Sequence, residues 1–349
     1  MTRTFHSIGQ GGFYTEKFDD FTMVYDCGGS TKQTIEEKIK KTFVKDQKID
    51  AVFISHFHND HVNGLKFLLE HCNVKTVYLP LLNQYSKIQL MIENIVHDHS
   101  DIFINSLIDN PTAAIHEISR DTNVVFVSPL ESSEKPGEDA EIIQSGQKVP
   151  LANQLDSCNW VFIPYNFENK SLSLLLVDAL KKAGIDTEDL ANELKTKQDQ
   201  IIDIYEDVLG GAKNFNANSL VLYSGPEDDK CTLKCICFTP KSTVFGMHLC
   251  ASLYLGDYNV KEESKLNDLK TAFITNWDLI GVIQIPHHGS KHNFNQKLVK
   301  PNIHAIISAG QDRKHPHGDT LKGICAERAH PLVVTEDPDS EIVYTCRRF

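Results

Sequence analysis

The chain has no long apolar run. No window of its 349 residues approaches the roughly 18 apolar positions that a membrane-spanning helix needs. The longest apolar stretches, such as Ser171–Val177 and Ala51–Ile54, have the size of core elements. The opening residues, Met1-Thr-Arg-Thr-Phe-His6, lack the apolar region of a secretory signal. Both absences point to a cytoplasmic protein with no membrane partner. Positive charge is also in short supply: 35 Lys and Arg face 47 Asp and Glu, a net charge of −12. A protein that grips long duplex DNA through its surface needs the opposite balance. The acidic balance leaves room for an enzyme whose metals and a few local cations bind the substrate, or for a small anionic substrate.

Other absences exclude whole chemistries. No GxSxG segment is present, so serine catalysis on a nucleophile elbow has no support. The glycine turn Gly9-Gln-Gly-Gly12 lacks the third glycine of a dinucleotide fingerprint, and no acidic ribose partner follows a βαβ unit. The nine cysteines are an odd number scattered along a long chain, which argues against a disulfide framework. Cys231, Cys235 and Cys237 fall on one face of an alternating, strand-like run, and no second CxxC-like pair follows. They read as small core hydrophobes rather than a metal knuckle.

What remains is an α/β pattern. Strands are predicted at Thr4–Ile8, Phe21–Asp26 and Asp50–Ser55, the last apolar without alternation, as a strand covered on both faces would be. Helical spacing covers 34–44, 62–71 and 87–99, with a strand at 74–79 between the last two. Residues 128–146 read as an exposed loop around a short strand. Two helices are predicted within 171–209, an insertion at about 166–212 packed on a sheet edge. Strand runs resume at Ser219, Cys231 and Ala251 and continue through 279–285, 304–308 and two late short segments. Strands in both halves with helices between them suit one domain, 1–349, built as a four-layer αββα sandwich with a helical insertion.

The chemistry concentrates in Ser55-His-Phe-His-Asn-Asp-His61, where a buried strand ends and a helix begins. Two histidines at i and i+2, then Asp and His at i+4 and i+5, cannot share one helix face. A loop can fold them around two adjacent metals, His56 and His58 on one ion, Asp60 and His61 on the other. Imidazole with carboxylate suits Zn, Mn or Fe.

This HxHxDH motif resembles that of the metallo-β-lactamase superfamily, and further segments follow in the family's order. Val24-Tyr-Asp-Cys-Gly-Gly29 resembles the early strand whose Asp, here Asp26, orients the metal-site groups. Leu253-Tyr-Leu-Gly-Asp257 resembles the Gly-Asp motif that bridges both metals, and Ile285-Pro-His-His-Gly-Ser290 supplies the last ligand. The resemblance implies two divalent ions, Zn or Mn, held by His56, His58, Asp60, His61, Asp257 and His288. Adjacent residues on an extended segment point to opposite sides, which favours His288 as ligand and leaves His287 to support the site from behind or to meet the substrate. The combination of Gly9-Gln-Gly11, Ser219-Leu-Val-Leu222, Gly256-Asp257, His287–Lys291 and His315-Pro316 is similar to ComEC-type competence hydrolase domains and to phosphorylcholine esterases. Two departures stand out: Gly11-Gly12-Phe13 replaces the usual residues after Gly-Gln, and the separate histidine that many members carry before the bridging Asp is not evident, His248 being the candidate by position.

The resemblance implies hydrolysis of a phosphodiester in a substrate such as DNA or RNA. Asp60 would orient the nucleophile, Ser290 and Lys291 would hold phosphate oxygens, and His315 would protonate the leaving group or bind a phosphate. Arg313 and Lys314 add local positive charge. Other readings of the same site are a phosphorylcholine-type esterase, a lactonase, a peptidase, or a non-catalytic metal-binding scaffold. The insertion is placed to shape substrate access or to contact a partner protein.

Overall fold

The computed structural model describes residues 1–96, 101–130, 140–150, 158–168, 170–209, 218–231, 233–239, 242–310 and 315–348. Two large sheets face each other. The first runs, in spatial order, Ser242–His248, Leu233–Thr239, Ile342–Arg348, Thr2–Phe5, Phe13–Lys17, Thr22–Cys27, Ala51–Phe53, Thr76–Pro80, Asn123–Ser128 and Glu141–Gln144. The second runs Val149–Pro150, Trp160–Glu168, Asn218–Pro226, Ala251–Tyr254, Ile280–Gln284, His304–Ser308 and His330–Val334. The helices are α1 (Lys32–Thr42), α2 (Asn59–Val62), α3 (Leu65–His71), α4 (Gln84–Val96), α5 (Ile102–Asp109), α6 (Pro111–Ile118), α7 (Lys170–Lys182), α8 (Leu190–Leu209), α9 (Glu263–Ala272) and α10 (Gly318–Ala326). Among the described residues no helix is long and apolar enough to cross a membrane.

Three apolar clusters make the layers. One joins α1, α3, α5 and α6 to the outer face of the first sheet through Ile35, Ile39, Leu65, Leu68, Leu107 and Ile115. A second lies between the sheets, with Phe5, Tyr25, Phe53, Phe162, Leu222 and Tyr254. The third joins α9 and α10 to the outer face of the second sheet through Leu266, Leu269 and Ile324. Helix, sheet, sheet, helix is the four-layer order expected. Thr22–Cys27 and Ala51–Phe53 are buried at every position and pair in parallel, which is why neither alternates.

Two expectations need correction. The helical insertion does not sit on a sheet edge. Its helices α7 and α8 pack on α4, forming a fourth cluster in which Ile88 and Ile92 meet Leu176, Val177, Leu180, Ile201 and Tyr205. An amphipathic helix can bury its stripe on another helix as well as on a sheet, and periodicity does not say which. The cysteines, too, pair: Cys158 is bonded to Cys231 and Cys235 to Cys346. Antiparallel register sets Cys235 opposite Cys346, with Cα atoms 4.1 Å apart across a sequence separation of 111, a proximity that spacing alone does not reveal. Cys237 is the buried core residue expected.

The sheets are joined at their centre by a buried ion pair. Arg3 Nε donates to Glu16 Oε1 at 2.6 Å and its Nη1 to the Cys250 carbonyl at 2.9 Å. Glu16 also accepts from Tyr254 Oη at 2.8 Å and Ser224 Oγ at 2.6 Å, both on the second sheet. Arg3 and Glu16 are wholly inaccessible. Removing one partner leaves the other charge buried and uncompensated, so Glu16→Ala should cost about 3–5 kcal/mol. Urea unfolding of the variant checks this, and a loss below about 1 kcal/mol would contradict the account of a buried pair.

Candidate metal centre

The HxHxDH segment leaves the C-terminal end of strand Ala51–Phe53 and turns into α2 at Asn59. Asp257 follows Ala251–Tyr254, and His287 and His288 follow Ile280–Gln284, so each contribution sits just beyond a strand's carboxyl end. The loops converge. His56, His61 and Asp257 form one group, and Asp60, His61 and His288 another, with the ligand atoms of each within 4.8 Å of one another. Asp257 lies 3.6 Å from His56 Nε2 and 3.4 Å from His61 Nε2. His288 Nε2 lies 3.1 Å from Asp60 Oδ2, across a sequence separation of 228. The sharing of His61 between groups differs from the pairing expected from the motif, in which His56 and His58 stood together.

Why the rings face inward follows from Asp26 and Ser55. Asp26 accepts from Ser55 N at 2.6 Å and Ser55 Oγ at 2.8 Å, and from His61 Nδ1 at 2.8 Å. Because the Ser55 hydroxyl is spent on Asp26, its oxygen accepts from His56 Nδ1 at 2.8 Å. Both rings therefore keep a proton on Nδ1, which leaves Nε2 as the atom that can offer a lone pair to a cation. Those two Nε2 atoms are buried without a hydrogen bond and border Asp257. Buried nitrogen acceptors that nothing satisfies, beside a carboxylate, are costly unless a cation binds there. The donor set thus fits a divalent metal.

Burial drives His56 well below the ordinary imidazole range, and the neighbouring His61 adds to this. For His61 burial acts in the same sense, but Asp26 and Asp257 overcome it and hold the ring well above that range. Burial opposes ionisation of Asp60 and Asp257, yet the imidazoles around them keep both carboxyls below the usual range. Burial raises Asp26, with His61 pulling the other way.

The glycine turn has a definite task here. Gly12 N donates to the Asp60 carbonyl at 3.2 Å, and Gln10 Nε2 reaches Asp60 Oδ2 at 3.4 Å. Gly11 has φ of +135°, and a Cβ there would stand 2.5 Å from Asp60 O; at Gly28 it would stand 2.3 Å from the same atom. Glycine at 11 and 28 therefore lets the backbone press directly on the metal loop.

The remaining predicted residues are placed as follows. His58 stacks edge-on against His56, ring centroids 4.7 Å apart, but lies outside both tight groups, its Nε2 3.2 Å from Glu93. His287 and His288 both have positive φ, 49° and 54°. The segment is a left-handed turn, so the extended-chain reasoning about opposite sides does not apply. Both rings face the centre: His287 Nδ1 is 3.2 Å from Asp257, while His288 is fixed through Nδ1 to the Ser308 carbonyl at 2.9 Å. His315 sits beside His287 at 6.1 Å between centroids. Ser290 is buried with its hydroxyl accepting from His292 N. Lys291 is exposed and lines a hollow of about 300 Å³ with Lys261, Lys297 and Thr320. Arg313 and Lys314 lie outside the described residues. His248 ends the outermost strand of the first sheet, five strands from Thr22–Cys27 and six from Ala51–Phe53. Sequence reasoning missed Gln10, Ser55 and Glu93. Ser55 carried a signal, since it directly precedes the motif; Glu93 carried none.

Residues 16–139 match the family model described as the Metallo-beta-lactamase superfamily. The chain is similar to ribonuclease Z of Methanococcus maripaludis, 36% identical over 121 residues that are 33% of this chain and 35% of the relative. It is also similar to ribonuclease J of Mycoplasma genitalium, 24% identical over 102 residues, 27% of this chain and 17% of the relative. The chain thus spans well under half the length of either relative. The crystal structure of human tRNase Z, short form, aligns over 98% of both chains at 11% identity with a TM-score of 0.40.

Crowding at the turn yields a test. Gly28→Ala should displace the Asp60 carbonyl and weaken divalent-ion affinity about 10–100-fold, as loss of a supporting contact at a metal site does. Chelator competition on the folded variant measures it, and unchanged affinity would show that the Gly28 contact does not set the loop.

Proposed function

We propose that the protein is a metal-dependent hydrolase that cleaves phosphodiester bonds in a nucleic acid, RNA foremost, with two divalent ions, zinc or manganese. The observation that carries this reading is the convergence of two buried, unsatisfied imidazole nitrogens, His56 Nε2 and His61 Nε2, on Asp257. Similarity to ribonuclease Z and ribonuclease J supports the substrate class.

His56, His58 and Asp257 would hold one ion, and Asp60, His61, His288 and Asp257 the other. When bound, such ions lower the pKa of water toward neutrality and stabilise charge on phosphate oxygens. The chain's own residues do the positioning. Asp26 and Ser55 hold the tautomers of His61 and His56. Asp60, steadied by Gln10 and His288, orients the water that attacks phosphorus in line. His315, next to His287, gives its proton to the leaving oxygen. Lys291, three residues beyond His288 on an exposed rim, binds a phosphate of the substrate rather than the reacting group.

Purified protein supplied with Mn²⁺ or Zn²⁺ should cleave bis-p-nitrophenyl phosphate and labelled single-stranded RNA. Asp257→Ala should lower that rate by at least about 100-fold, the upper end of what even an outer partner of a metal costs. A variant with the wild-type rate would exclude the mechanism.

A further inference from the structure

Glu93 lies on α4 and its side chain is 4% exposed. A buried carboxylate must be answered by donors or it is expelled. Its Oε2 stands 3.2 Å from His58 Nε2, while its Oε1 takes Gln89 Nε2 at 2.9 Å and Tyr205 Oη at 3.3 Å. Tyr205 belongs to α8. Gln89 in turn accepts from Ser173 Oγ of α7 at 2.8 Å. Both helices of the insertion therefore reach this one carboxylate, α8 directly and α7 through a single amide. The apolar seam of Ile88 and Ile92 against Leu176, Val177, Leu180 and Ile201 holds them there.

A carboxylate can only accept, so His58 donates Nε2–H to Glu93. The ring is thereby left with Nδ1 as its one available lone pair. This is the reverse of the tautomer that Ser55 and Asp26 impose on His56 and His61.

We propose that Glu93 is the positioning residue of His58, fixing it as the Nε2–H tautomer that offers Nδ1 to the metal, and that the helical insertion holds Glu93 in place for this task. The inference rests on the metal-centre reading for its consequence, but not for its core. Partner groups of this kind typically change metal affinity 10–100-fold. Loosening the insertion therefore weakens the metal site without touching a ligand.

Two measurements on the full chain test this. Long-range ¹⁵N–¹H spectra of metal-free protein, with His58 assigned by His58→Gln, should show the Nε2–H form in wild type. Glu93→Gln, which offers no carboxylate, should lose that preference while keeping the far-UV circular dichroism of wild type. If His58 is an Nδ1–H tautomer in wild type, the proposal fails. Separately, Mn²⁺ and Zn²⁺ affinities measured by chelator competition should fall about 10–100-fold in Glu93→Gln, and by a smaller factor in Tyr205→Phe, which removes only the α8 hydroxyl. Glu93→Gln with wild-type affinity would overturn the positioning role even where the metal binds. A wild type that binds neither ion, but keeps the His58 tautomer, would instead overturn the metal-centre reading and leave Glu93's hold on the ring intact.

Discussion

Asp26 is the group on which the centre depends. It is fully buried, adopts φ of 56°, and accepts from the Ser55 backbone, the Ser55 hydroxyl and His61. A non-glycine residue in the left-handed region costs of order 1–3 kcal/mol and persists only where its surroundings demand it. Here the surroundings are the start of the metal loop. By taking both Ser55 donors, Asp26 determines which nitrogen of His56 stays open, and by taking His61 Nδ1 it does the same for the second ring. One carboxylate thus sets two tautomers, and without it the imidazoles would have no reason to present Nε2 to Asp257.

The constraint extends through tight backbone packing. The Asp60 carbonyl is wedged against Gly11 and Gly28, where no Cβ fits. Such packing makes the loop rigid in the absence of regular secondary structure. It also explains why the Gly-Gln-Gly turn belongs with the HxHxDH segment although some 45 residues and several strands separate them in the chain. On the far side of the centre, Glu93 and the insertion supply a second support, built from a different layer of the fold.

How legible was this in the chain? The buried strand leading into His56, the helices at 32–42 and 170–182, and the order of the motifs were all readable. Each rests on local pattern: a run of apolar residues, a 3.6-residue spacing, a cluster of ligand types at a strand end. The strand Trp160–Glu168 was not readable. It carries Pro164 and Asn166 in its interior, which local preference disfavours. The structure tolerates them because only the short segment Val149–Pro150 flanks that side and Asn166 Nδ2 finds the carbonyls of Leu81 and Val127. The finer likeness to ComEC-type domains rests on its motifs, while the family match supports the superfamily.

The sequence by itself determined which side chains could bind metal, because His, Asp and Gly at those spacings carry their chemistry wherever they are placed. It also determined the class of fold, since alternation and helical period are written locally. Only the tertiary structure decided which atoms meet. The sharing of His61, the inward turn of both His287 and His288, the Cys235–Cys346 pair and the contact of Glu93 with His58 all join residues distant in sequence or turned by backbone angles that no local pattern specifies. Through-space proximity in a sandwich depends on register and layer packing, and those are properties of the whole chain.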